Sequence, residues 1–135
     1  MAHGELGTAL IYSGRADQGL VALQTNIRLD PRDPLLAWRL NWMAVGHYFC
    51  RDYGAAIETA TRAIRSYPEL PMPYRWLAAA LGQTGRSEEA RKALKQAVAI
   101  GPASFEMFVH RRVPWHRAED HAHMLEGLRN AGWQG

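Results

Sequence analysis

The sequence predicts an all-α fold: a tandem array of three helix-turn-helix units forming an α-solenoid, closed by a C-terminal helix pair. Three observations carry this prediction. The stretch 51–73, RDYGAAIETATRAIRSYPELPMP, runs from a turn through a helix of small residues into a proline-rich loop. Within it Ala56, Ala60 and Ala63 lie four and three residues apart and so share one helix face, and a stripe that small lets a second helix come close. The pattern then returns 34 residues later, with Ala56 matched by Ala90, Ala63 by Ala97 and Pro68 by Pro102. A fixed period of that length marks stacked helix pairs, each burying its apolar face on its neighbours.

Composition agrees. The 135 residues suit one domain with a sizeable core. Apolar residues make up 47% and charged ones 21%, a globular rather than a disordered balance. A formal charge of +3 neither demands nor excludes nucleic acid. Cys50 is the single cysteine, which rules out an intrachain disulfide and points to a reducing compartment, so the expected location is the cytoplasm. The N-terminal residues lack the basic-then-apolar pattern of a signal peptide. The most apolar run, 35–50, is interrupted by Arg39, Asn41 and His47, too early for a membrane span. The excess of arginine over lysine suggests a GC-rich bacterial genome.

The first unit, 1–33, places Leu6, Ala9 and Leu10 on one helix face. Ser13-Gly14 ends that helix, and a second is predicted over 16–29 with Leu20, Leu23 and Ile27 on one side. The second unit, 34–70, opens at Asp33-Pro34, a cap followed by a proline suited to the first helical position, with the helix reaching about residue 49. Asp52 is placed to cap the next helix, which runs to Ser66. The third unit, 71–104, has YRWLAAALGQTG as its first helix, ended by Gly82 to Gly85. Ser87 is read as the cap of its second helix, Glu88 and Glu89 favour that helix's positive end, and Ala90, Leu94, Ala97 and Val98 point inward. The remainder, 105–135, departs from the period. A short helix capped by Ser104 runs to about residue 112, Val113-Pro114-Trp115 is an extended break, and a last helix covers about 118–130. His121, Met124, Leu125 and Leu128 form its stripe, Gly132 its C-terminal turn, and Trp133 folds back on it. Met124, Leu125 and Leu128 are expected to cover the helix of 87–100 and the short helix after Ser104, as the cap a solenoid end requires.

These features resemble the tetratricopeptide repeat (TPR) family over nearly everything up to Ser104. In the first unit Leu6-Gly7, Gly14 and Leu29-Asp30-Pro31 fit the signature. In the second, Leu40, Met43-Ala44, Asp52-Tyr53, Ala56-Ile57-Glu58, Ala63 and Pro68 fit it. The third contributes Tyr74, Leu77-Ala78, Gly85, Ala90, Leu94, Ala97 and Pro102. Gly19 and Asn26 depart from the alanines expected there, and Pro34-Leu35-Leu36 is an insertion. The tail VPWHRAEDHAHMLEGLRNAGW, with the WRLNWMA region, is similar to the region after the repeats in bacterial class III adenylate/guanylate cyclase-like proteins, although Ala118 stands where proline is common. That resemblance implies a regulatory region of a larger signalling protein. No strand context carries a metal-binding Asp pair, so the chain would not itself be the catalyst.

The resemblance also implies that first helices line a concave face. By spacing, Trp38, Asn41, Val45, Tyr48 and Phe49 face that groove with Arg75 and Gln83 from the next unit, and aromatic residues and arginine are common binding anchors. The candidate partner-binding set is therefore Trp38, Asn41, Val45, Tyr48, Phe49 and Arg75, an aromatic shelf beside a guanidinium that suits a peptide with an acidic group. The competing explanation is packing. It is the better one for Trp42 and Trp76, which lie 34 apart and occupy equivalent positions. For Trp38, Tyr48 and Phe49 both remain open, including the case in which the C-terminal segment fills the groove.

No enzymatic chemistry is legible. His116, His121 and His123 lie near Glu119 and Asp120, but His121 and His123 point nearly opposite ways on a helix and no HExxH is present, so no metal or other cofactor is expected. Cys50 reads as a small apolar group. GQTG at 82–85 has no preceding strand and is a repeat turn. The run His110-Arg111-Arg112 with His116-Arg117 is more simply a solvated face than a phosphate site. The expected partner is a protein or peptide, not nucleic acid or membrane. Because Met1 falls inside the first helix, either the chain continues upstream or that edge self-associates.

Overall fold

A computed structural model of the chain describes residues 11, 14–29, 32–110 and 117–134. Among these are seven helices and no strand: α1 Ala16–Leu29, α2 Leu36–Phe49, α3 Tyr53–Ser66, α4 Met72–Gln83, α5 Ser87–Ile100, α6 Pro102–His110 and α7 Ala118–Asn130. The face proposed for Leu6, Ala9 and Leu10, the extended break at 113–115 and the self-associating N-terminal edge lie outside the described residues.

The helices pair in sequence, α2 with α3 and α4 with α5, and α3 packs on α4 to join the two hairpins. α2 also touches α4, so these two form an inner layer. The alanine stripes explain the tight pairing: Ala56, Ala60, Ala63 and Ala90 are wholly buried, and Ala97 nearly so. Trp76 lies in the core and Trp42 packs half-buried against it, in keeping with the packing explanation for that pair.

Three turns share one geometry. After α2, α4 and α7 a residue with positive φ follows the cap: Arg51 (62°), Gly85 (76°) and Gly132 (111°). In each case its N–H, and the N–H of the next residue, return to carbonyls in the last turn. Arg51 and Asp52 bond to Tyr48 and His47; Gly85 and Arg86 bond to Gly82 and Leu81; Gly132 and Trp133 bond to Arg129 and Leu128. This paired closure satisfies carbonyls the helix leaves open. It folds Trp133 back against the core, as expected from the sequence.

Several boundaries differ from expectation. α2 starts at Leu36 rather than at Pro34, because the Asp33 carboxylate accepts from the Leu35 N–H at 2.8 Å and also pairs with Arg39 at 3.4 Å, holding Pro34-Leu35 as a turn. Asp52 does cap α3, accepting from the Ala55 N–H. Ser87 is the first helical residue of α5 rather than its cap; Arg86 takes the cap position and pairs its side chain with Glu89 at 2.7 Å. α6 starts at Pro102, ahead of the expected Ser104 cap, because proline suits a first helical turn. Cys50 is exposed in the turn after α2 and is not a core group. Val98, expected to point inward, is 41% exposed.

Candidate partner-binding site

The tail helix decides the geometry of the inner layer. Met124 and Leu128 are wholly buried and Leu125 half-buried, so α7 covers apolar surface as a cap should. Its seat differs from the expected one. α7 packs chiefly on α4 and only marginally on α5. The reason is a pair of glycines. A Cβ on Gly82 would meet the Ala131 N at 2.9 Å and the Gly127 carbonyl closer still. A Cβ on Gly127 would meet the Ala79 carbonyl at 2.6 Å and the Tyr48 hydroxyl closer still. With hydrogen at both positions, the backbones of α4 and α7 come into direct contact. Subtracting the repeat period, Gly82 corresponds to Tyr48 and Ala79 to Val45. The third unit is therefore small where the second is large.

Polar contacts finish the seat. The Tyr48 hydroxyl donates to the His123 carbonyl oxygen and accepts from the Gln83 amide at 3.2 Å. Gln83 also donates to Glu126 at 3.0 Å. The Tyr53 hydroxyl and the His123 Nε2 hydrogen-bond to each other at 2.7 Å, while the His123 ring stacks on Tyr48 with centroids 4.3 Å apart. Burial pushes the His123 imidazole below its ordinary pKa, aided by the positive charge of Arg51 and opposed by Glu126. Burial likewise raises the Tyr48 phenol, so its proton is held firmly for donation.

The six candidate residues divide. Asn41, Val45 and Tyr48 are wholly buried and Arg75 is 2% exposed, all covered by the chain's own residues. Trp38 and Phe49 are half-buried. Trp38 packs edge-on to Tyr67, whereas Phe49 packs on Tyr48 and Trp76. The Arg75 guanidinium lies over the Phe108 ring of α6, 3.6 Å from the centroid. Arg75→Ala would therefore remove core packing as well as charge. Asn41, the equivalent residue on α2, is buried with no hydrogen-bond partner for either amide atom.

Four contributors are not assigned to this site by the sequence reading: Ala79, Gly82, Gly127 and His123. The legible signal was the contrast of Val45 and Tyr48 with Ala79 and Gly82 at the repeat spacing. Among the described residues no group of three or more His, Cys, Asp or Glu side chains could hold a metal ion, and no helix is long and apolar enough to cross a membrane.

No protein-family model and no curated protein matches the sequence. Among solved structures the chain is similar to MamA, with 16% identity, a TM-score of 0.70, and an alignment covering 96% of this chain and 74% of that one. At that identity the likeness speaks for fold alone: the chain is a TPR-like helical solenoid.

Proposed function

We propose that the chain is a protein-interaction module whose inner layer, α2 and α4, docks an α-helix of a partner. The observation that carries this reading is the seat of α7. The inner layer already holds a helix, and it does so largely through backbone: two facing glycines and a tyrosine hydroxyl on a helix carbonyl. A seat of that kind accepts any helix with a small residue at the crossing point, so a partner helix would exchange with α7. Tyr48 touches the occupant, Trp38 and Phe49 lie half-buried on the same inner helix, and Asn41, Val45 and Arg75 are buried within the inner layer. The chain would act by holding partners rather than by catalysis.

The test uses the full chain carrying Gly127→Leu, which unseats its own tail. A fluorescein-labelled peptide of residues 117–134 should bind it, and the same peptide carrying Gly127→Leu should not. Failure of the native peptide to bind would overturn the reading.

The likeness of the tail to the region after the repeats in bacterial class III cyclase-like proteins supports a place for this module in a larger cytoplasmic signalling protein, as an accessory region of a nucleotide cyclase. Reading the genomic frame upstream of Met1 tests this directly; a stop codon in place of a continuing catalytic domain would rule it out.

A further inference from the structure

We propose that α5 carries a second docking surface, separate from the inner layer, which takes an amphipathic helix with acidic side chains along its flanks. Arg91, Leu94, Lys95 and Val98 are spaced as one helix face and, with Ala99 and Gly132, line a groove of about 430 Å³.

The repeat itself shows what such a face holds. One period earlier the same positions are Ile57, Ala60, Thr61 and Ile64 on α3. There a helix covers the stripe: α4 packs on α3, Ala60 is wholly buried, Ile57 and Ile64 pack on the core, and Ile57 and Thr61 line a crevice with Leu77 and Leu81 of α4. On α5 no helix among the described residues takes that place. The nine-residue α6 packs only lightly on α5, and α7 sits on α4 instead. Leu94 is left half-buried and Val98 41% exposed.

Charge indicates which helix fits. Ile57, Glu58 and Thr61 on α3 become Arg91, Lys92 and Lys95 on α5. Lys92 and Lys95 are the chain's only lysines. All three cations are exposed, and none forms an ion pair among the described residues. Glu88 borders the same surface, while Glu89 is engaged by Arg86. An apolar stripe rimmed by three cations complements a helix with an apolar stripe rimmed by carboxylates, and the charges set orientation and selectivity.

Two synthetic 18-residue helical peptides test this on the full chain by fluorescence anisotropy. Both carry leucines at i, i+3, i+4 and i+7; one has glutamate flanks and the other lysine flanks. The glutamate peptide should bind at least about tenfold tighter, and weaken as salt rises from about 0.05 to 0.5 M. Arg91→Glu with Lys95→Glu should reverse the preference. Val98→Glu, a change at an exposed site that leaves the helical circular dichroism intact, should abolish binding. Amide shifts in a nitrogen-15 spectrum should fall on residues 91–99 and 132. Equal binding of both peptides, binding of neither, or shifts confined to α2 and α4 would overturn the proposal. So would a dimer of the chain that Val98→Glu dissociates, since the occupant would then be a second copy. Loss of binding at the inner layer alone leaves these readouts unchanged, so the two surfaces fail separately.

Discussion

The two inner helices, α2 and α4, share one register and do opposite things. On α2 this register carries Val45, wholly buried, and Tyr48, whose ring and hydroxyl meet the tail. On α4 the same positions are Ala79 and Gly82. The large residues make α2 a wall with a hydrogen-bonding tip, and the small ones make α4 a floor on which a helix backbone can lie. Neither helix alone would seat α7. The glycine–glycine contact brings it close, and the Tyr48 hydroxyl fixes how far along it sits. A repeat array thus gains a specific seat through size changes at two equivalent positions, without altering the fold.

The largest break in this comparison is to restore bulk at the crossing. Gly127→Leu places a side chain against the Ala79 backbone and the Tyr48 hydroxyl, neither of which can yield without moving a helix. Overpacking at such a site costs on the order of 3 kcal/mol. The expected result is a lowered denaturant midpoint together with binding of an apolar dye as α7 lifts and exposes Met124 and Leu128. Alanine at the same site should do less, because only one methyl must be accommodated. Equal, unchanged midpoints for both variants would show that the crossing is not close.

A smaller change tests the wall. Tyr48→Phe keeps the ring, with its contacts to Trp76 and His123, but removes the donor to the His123 carbonyl and the acceptor for Gln83. That carbonyl also serves the backbone of its own helix, so the loss is about 1 kcal/mol. Gly82→Ala combined with Tyr48→Phe should lose less than the two single changes added together, because both act on the seating of one helix.

Much of this molecule could be read in the chain. Gly and Pro punctuation located α1 and α7 at their observed bounds, and the alanine period predicted which residues meet between helices. The capping errors share a physical cause. Asp33, Ser87 and Ser104 each have the chemistry of a cap, but competition from a neighbouring turn, an arginine–glutamate pair or a proline decided the outcome locally. The seat of the tail was harder. It depends on a contact between Gly82 and Gly127, far apart in sequence, and a glycine inside a helix carries no sign of what approaches it. The groove residues were placed on the correct helices, but spacing cannot say whether a face meets solvent or a later segment of the same chain.

Acid should loosen the seat. Burial holds both His123 and His47 below their ordinary value of 6.5, so the fold favours their neutral forms. Below about pH 6.5 the unfolded chain therefore takes up more protons than the folded one, and stability falls as the pH drops through the folded values. Above that point the contribution is complete. Thermal unfolding should show a Tm lower by a few degrees at pH 5 than at pH 7.5. His123→Gln should narrow the difference and His47 account for the rest; an unaltered difference would separate His123 from the pH response.

The smallest expected effect lies where the comparison extends past the helix ends. Arg51 and Gly85 occupy equivalent turns, with φ of 62° and 76°. Glycine reaches that region freely, whereas a side chain there costs roughly 1–2 kcal/mol. Arg51→Gly removes that strain but also frees the unfolded chain, which returns about 0.4–1 kcal/mol of entropy to the unfolded side. The net gain should be about 0.5 kcal/mol, seen as a small rise in Tm with no change in helix content. The same substitution takes away a positive charge that holds the His123 pKa down, so it should also soften the loss of stability in acid. Arg51→Asn separates the two effects. Asparagine tolerates positive φ but has no charge, so it should keep the softened acid response while gaining less stability than glycine. Were Arg51→Gly instead to lower Tm, the arginine side chain would be contributing more than its backbone strain takes away, and the turn after α2 would differ in kind from the one after α4.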